Sequence, residues 1–277
     1  MPSERARVLI TVKASPEPSK TYGDTVCVAG VRLHEDDRVE WVRIYPVAFR
    51  HLQSDQKFSK FEVIEVDLTR STKDARPESH RPNWETLARV NRNGKYRTLP
   101  IAARGPILEK LIGPTMCELR KGVESDLNAQ SLGLVEVREL RALKFEEHGP
   151  WSDAQVASMT GAMTQPDIFG EVDNTPALVP PRFKVNFDYL CMSADCKGHK
   201  PRILDWEMNA LQYKFRSVSD DKLKEIITQK FHTEMWGDGV RTCFFVGNFN
   251  DIVKRKNFSV LGVYRHKRSA DYRSTLF

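Results

Sequence analysis

Apolar and polar positions alternate with a period of two through much of the N-terminal quarter of the chain. Residues 8–14, 25–33, 39–45 and 61–69 are short β-branched or alternating runs separated by turn-rich segments, which predicts a strand in each. In the run 39–45, Val39, Trp41, Arg43 and Tyr45 share one face, and Glu40, Val42 and Ile44 the other. Strands this closely spaced predict a small curled sheet or barrel.

The period then lengthens. Asn83 is placed to cap a helix beginning at Trp84, and Pro106 suits the first turn of a helix over 107–121, interrupted at Gly113-Pro114. Residues 132–145 return to a β pattern, and 183–190 alternate with Phe183, Val185, Phe187 and Tyr189 on one face. Ser219 opens a helix with Asp220 and Asp221 in its first turn and a stripe of Leu223, Ile226, Ile227 and Phe231; Gly237 stops it. Residues 242–249 and 258–264 predict a hairpin whose loop carries Lys254-Arg255-Lys256.

Gly161, Pro166, Gly170, Pro176, Pro180 and Pro181 punctuate 161–182, the predicted linker between an N-terminal module (1–160) and a C-terminal one (183–277). The expected class is α+β: a small β-rich, barrel-like N-terminal module, a helical middle, and a C-terminal α+β module with a zinc knuckle.

Composition narrows the field. A hydrophobic share of 40% in 277 residues supports a proper core and excludes wholesale disorder. No apolar run approaches the roughly 18–20 residues of a membrane span, and residues 8–12 are too brief for a signal segment, so a soluble cytoplasmic protein is expected. Five cysteines are an odd number in a chain too large to need staples, which favours reduced thiols or a metal site over a disulfide framework. The net charge of +6 matters less than its segregation. Arg76, Arg81, Arg89, Arg92, Lys95, Arg97 and Arg104 face only Glu78 and Glu85 in their stretch. Lys254, Arg255, Lys256, Arg265, Lys267, Arg268 and Arg273 face only Asp271, whereas 124–147 leans acidic. Of these cations Arg89, Arg92, Lys95, Arg97, Lys254, Arg255, Lys256, Arg265, Lys267 and Arg268 are the candidate phosphate contacts, with Trp84, Tyr96, Tyr264 and Tyr272 beside them as possible stacking rings.

The densest chemistry is Cys191-x4-Cys196-x2-His199. Two thiols and an imidazole around a permissive Gly198 suit zinc, and Cys243, His232 and Asp205 are candidate fourth ligands. Asp205-Trp206-Glu207 follows. On a strand the two carboxylates share a face and could hold Mg²⁺ for a hydrolytic nuclease; at a helix start Asp205 is an N-cap and Glu207 a first-turn carboxylate. The spacing of Leu204, Met208, Leu211 and Phe215 favours the helix, and no lysine follows Glu207 at a nuclease-like spacing. Cys27 reads as a core thiol. Walker, Gly-x-Gly-x-x-Gly, Gly-x-Ser-x-Gly and His-Glu-x-x-His motifs are absent.

The segment with Cys191, Cys196, His199, Asp205-Trp206-Glu207 and Phe244-Phe-Val-Gly-Asn248 resembles a family of prokaryotic proteins associated with mobile elements and anti-phage islands, over roughly the last 95 residues. The resemblance implies a prokaryotic host and a role near foreign DNA, without a mechanism. Trp41-Val-Arg-Ile-Tyr-Pro46 resembles a strand of the ASCH and PUA-like barrels that read modified bases. The function expected is nucleic-acid binding with a structural zinc site, in a defence setting. The alternatives are a metal-dependent nuclease using Asp205 and Glu207, or a subunit whose basic patches meet an acidic protein partner.

Overall fold

Every side chain of β1 (Glu4–Lys13) from Val8 to Val12 is buried, although the strand has two faces. The computed structural model, which describes residues 2–16, 18, 25–50, 52, 56–90, 98–163, 178–237 and 239–267, explains this by covering both. β1, β2 (Val26–Leu33), β3 (Val39–Val47), β5 (Ser79–Arg89) and β4 (Val63–Arg70) form a closed barrel in that order, with β4 returning to β1. Ala6, Val8, Ile10, Val26, Val28, Val42, Ile44 and Ile64 fill its interior. Leu9, Val12, Ala29 and Val31 point outward into a second core. A register shift between Ile10 and Val12 turns Val12 to that outer face.

The second sheet has the order β7-β6-β8-β9 and is antiparallel throughout: β6 (Leu132–Glu147), β7 (Phe183–Cys191), β8 (Val240–Asn248) and β9 (Phe258–Lys267). Alternation sorts its side chains. Leu132, Leu134, Cys243, Phe245, Leu261 and Tyr264 meet the outer face of the barrel. Val135, Val137, Phe187, Tyr189, Phe244 and Val246 meet the helices α2 (Met116–Ser125), α4 (Trp206–Lys214) and α5 (Asp220–Thr228) on the other side. The sheet is thus the middle of three layers, and the architecture is α+β. Among the described residues no helix is long and apolar enough to cross a membrane.

Local signals place several elements where the pattern puts them. Ser219 caps α5 through its hydroxyl, and 183–190 and 242–249 are strands. The middle differs. No helix begins at Trp84: Asn83 and Trp84 lie in β5, which pairs with β4 and, in parallel, with β3. Asn83 does accept an amide hydrogen bond, from Glu85 at 3.2 Å, but as a local kink in a strand. Closing the barrel supplies pairing partners on both edges of 79–89, and that outweighs a local capping signal. The helix expected over 107–121 is instead α1 (Ile101–Glu109), which contains Pro106, and α2, whose capping box joins Thr115 and Glu118.

β6 precedes 161–182 in sequence yet pairs with β7 and β8, so the two sheets part between β5 and β6. Of the punctuated stretch, 164–177 lie outside the described residues; α3 (Asp153–Met163) ends just before them. The layers are also tied by polar groups. Ser15 N–H donates to the Leu204 carbonyl at 2.8 Å. The buried Glu78 carboxylate accepts from the Ser131 amide at 2.8 Å and hydroxyl at 2.7 Å, while Arg43 donates to the same hydroxyl at 3.0 Å.

Candidate metal centre and basic groove

β7 ends on Cys191, and the chain turns back at once. Cys196 N–H closes a turn on the Ser193 carbonyl, Gly198 takes φ +110°, and His199 exchanges two backbone hydrogen bonds with Tyr189 at 2.9 and 3.1 Å. A side chain at that φ would be strained, so glycine is what lets the return strand bring His199 over Cys191. Cys117, the second residue of α2, completes the group from the helix layer.

Cys117, Cys191, Cys196 and His199 hold one ligand atom each, all within 4.8 Å of one another. His199 Nε2 lies 3.5 Å from Cys117 Sγ, 3.4 Å from Cys191 Sγ and 3.3 Å from Cys196 Sγ, and the Cys191 and Cys117 sulfurs are 3.7 Å apart. Tetrahedral zinc, with bonds of about 2.3 Å to sulfur and 2.0–2.1 Å to nitrogen, requires edges of about 3.8 and 3.6 Å. The four residues could therefore hold a metal ion, and donor set and spacing are consistent with zinc. Cys191, Cys196 and His199 are buried, so few waters compete.

Burial and crowding shift the titration of the group. Burial, with the neighbouring Cys191 and Cys196 thiols, pushes the Cys117 thiol up to about 12. Burial and the Arg120 guanidinium hold His199 down to about 4, so its imidazole is neutral at physiological pH with a lone pair to give. Cys196 is buried too, but amide hydrogen bonds from Cys191 and Gly198 hold its thiol below the ordinary value. Four lone-pair donors share a small volume, an arrangement that could hold a metal ion.

Beside this centre runs a groove of about 320 Å³. Arg120, one turn along α2 from Cys117, lines it together with His199, Lys200, Arg202, Phe249, Lys256 and Phe258. Among the described residues its lining includes four cations, Arg120, Lys200, Arg202 and Lys256, and no carboxylate. Lys200 is mostly exposed and only 4.0 Å from Asp188.

The basic residues read from the sequence scatter. Arg89 pairs with the buried Glu62 at 2.5 and 3.1 Å. Arg255 is buried, donating to the carbonyls of Leu127 and Asn250 at 2.9 and 2.7 Å. Lys254 is exposed on the short 3-10 turn Ile252–Lys254, and Lys256 is exposed in the groove. Arg265, on β9, donates to the Glu234 carbonyl, and Lys267 ends that strand. Arg92, Lys95, Arg97 and Arg268 lie outside the described residues.

The candidate fourth ligands lie elsewhere. Cys243 faces the barrel from β8, its thiol pushed up to about 12 by burial. His232 sits in the π-helical turn after α5. Asp205 is the N-cap of α4, accepting from Glu207 N–H at 3.0 Å. No local motif marks Cys117: a lone cysteine in a capped helix start carries no ligand signature.

Asp205 and Glu207 do converge, on an ammonium. Lys60 Nζ, from the barrel side, is 3.8 Å from Asp205 Oδ2 and 3.7 Å from Glu207 Oε2. Complete burial, opposed by Lys60, raises the Asp205 carboxyl to about 6, and burial lowers Lys13 nearby. A lysine distant in sequence thus partners the two carboxylates.

A closed barrel backed by a sheet with a Cys₃His cluster on its helical side defines an α+β protein whose cluster could hold a metal ion. Residues 112–277 match the family model "Domain of unknown function (DUF8757)", and the chain belongs to that family; residues 4–110 match "Domain of unknown function (DUF8758)". No curated protein sequence matches the chain. Among solved structures, a chain of a replication protein A heterotrimer bound to single-stranded DNA aligns at 8% identity with a TM-score of 0.31, covering 90% of this chain and 45% of that one. The protein thus spans less than half of that neighbour, and at this score nothing of its fold or ligand transfers.

Proposed function

We propose that this protein binds nucleic acid in the groove of Arg120, Lys200, Arg202 and Lys256, and that zinc in the Cys117–Cys191–Cys196–His199 centre braces the groove. The carrying observation is the lining itself: cations from α2, the 199–202 segment and the 254–257 loop line one channel with no carboxylate among the described residues. Each phosphate neutralised there releases counterions, which gives sequence-tolerant, salt-sensitive affinity. Phe249, half-buried at the groove, offers a ring for stacking. The metal's part is mechanical. Its ligands come from both α2 and the β7 return segment, so zinc ties Arg120 to Lys200 and Arg202 at a fixed separation. The prokaryotic defence setting implied by the C-terminal resemblance is part of the same proposal, tested by phage plaque counts on cells with and without the gene.

The direct test is a salt series with labelled single- and double-stranded oligonucleotides. Arg120→Ala/Lys200→Ala/Lys256→Ala should flatten the slope of log affinity against log salt by about two to three. Unchanged binding in that variant overturns the placement. Absence of binding by the parent at low salt overturns the reading and favours an acidic protein partner.

A further inference from the structure

Where the barrel meets the second sheet there is a separate cleft of about 500 Å³, within the roughly 300–1,000 Å³ of small-molecule sites. Two buried side chains in its wall have hydrogen-bond donors with nothing to donate to among the described residues. Asn248, at the end of β8, is 5% exposed. Arg76 donates to its carbonyl at 2.6 Å and to its Oδ1 at 3.3 Å, which makes Oδ1 the acceptor and Nδ2 the donor; that Nδ2 has no partner. Arg43, on β3 and 2% exposed, gives its terminal nitrogens to Cys27 Sγ and Ser131, leaving Nε without one. A buried donor without an acceptor costs about 1–3 kcal/mol, so two in one cleft mark a place where a ligand supplies the acceptors.

The rest of the lining says what kind of ligand. The one carboxylate among the described lining residues, Asp74, is taken up by Arg76 at 2.5–3.1 Å and by the Ser79 hydroxyl at 2.8 Å. The cleft therefore presents donors and positive charge. Lys73 and Arg81 are exposed in its lining, placed to meet an anion, and Tyr45 and Phe249 add aromatic faces. A planar, acceptor-rich ring joined to a phosphate satisfies all three features, which a bare anion or an apolar ring does not.

We infer that this cleft binds one nucleotide, its base acceptors turned to Asn248 Nδ2 and Arg43 Nε and its phosphate to Lys73 and Arg81. Phe249 lines both this cleft and the basic groove, so a base turned out of a strand in the groove, or a free mononucleotide, can reach it. The inference does not need the groove, because a monomer tests it alone.

The experiment is calorimetric titration of the metal-loaded full chain with the four nucleoside 5′-monophosphates, the matching nucleosides and inorganic phosphate. At least one monophosphate should bind one per chain, about tenfold or more tighter than its nucleoside and than phosphate. Lys73→Ala/Arg81→Ala alters exposed side chains only, so the fold is kept, and should erase the advantage over the nucleoside. Asn248→Asp keeps the acceptor for Arg76 but removes the donor, and should weaken binding by about tenfold or more. Phosphate binding as tightly as any monophosphate, no binding of any monophosphate at millimolar concentration, or parental affinity in both variants overturns the inference. Oligonucleotide affinity measured in parallel reads the groove separately, so either failure is distinguishable. A fluorescent base analogue that brightens within a bound oligonucleotide identifies the strand as the source; monophosphate binding without brightening identifies the free nucleotide.

Discussion

Two polar clusters flank the segment 191–207, and they handle their charge in opposite ways. The Cys117–Cys191–Cys196–His199 group collects lone pairs with no protein cation among them. The Asp205–Glu207 group collects carboxylates around Lys60. Both bring residues together across the fold. The difference lies in where the neutralising charge comes from: the chain supplies an ammonium to the carboxylates and nothing to the sulfurs. A carboxylate pair that already holds an ammonium has its cation, whereas a cluster made of lone-pair donors can take one up.

The largest expected effect breaks the first cluster. Cys117→Ala should reduce zinc from one per chain to near zero by elemental analysis and cost several kcal/mol in urea unfolding, since structural-metal binding energy is folding energy. Chelation of the parent should give the same loss. Zinc retained in Cys117→Ala would remove the helix from the ligand set.

In the second cluster the lysine is the piece to remove. Lys60→Met leaves the Asp205 carboxylate buried beside Glu207 without its ammonium, at a cost of about 3–5 kcal/mol. Adding Asp205→Asn should recover much of that, because asparagine still caps α4. A double-mutant cycle in urea measures the coupling, and additivity would show that the pair does not interact.

pH sharpens the contrast. The Asp205 carboxyl titrates at about 6 in the fold, above roughly 3.9 in the unfolded chain. The folded state thus holds the proton more tightly. Its stabilising contribution is complete below pH ~4 and is lost as pH rises through ~6, a change of at most about 3 kcal/mol. The stability difference between parent and Asp205→Asn, followed from pH 4 to 7, should fall by that order. A flat difference would place Asp205 in an ordinary environment. Zinc lost on acidification cancels in the comparison.

The smallest effects separate two neighbours. Arg255→Ala removes a buried guanidinium with its hydrogen bonds to the Leu127 and Asn250 carbonyls and should cost about 1–3 kcal/mol of stability; Lys256→Ala should leave stability within about 0.5 kcal/mol and lower nucleic-acid affinity. The reverse pattern would exchange their roles.

Much of the local structure is legible along the chain because it depends on near neighbours. Alternation in 183–190 and 242–249 marks strands, and Ser219 with its following aspartates marks a helix start. Asp205 reads as a cap because capping is decided within a few residues. Cys191, Cys196 and His199 stand out because one turn brings them together. What fails is what depends on distant pairing. Asn83-Trp84 has the form of a helix start, yet barrel closure makes it a strand.

The basic runs illustrate the same limit. A run of Lys254-Arg255-Lys256 records charge, while direction is set by packing: Arg255 turns inward to satisfy carbonyls and Lys256 outward into the groove. Arg120, Lys200 and Arg202, which carry most of that groove, belong to neither basic stretch.

By itself, then, the sequence determined the α+β class, most strand and helix positions, and three thiol and imidazole donors, all consequences of periodicity and short-range geometry. The tertiary structure decided the fourth donor, Cys117, the pairing of Lys60 with Asp205 and Glu207, the groove and the cleft beside Asn248. Each of these brings together side chains far apart in the chain, and only the packing of the barrel, the second sheet and its helices brings them within reach.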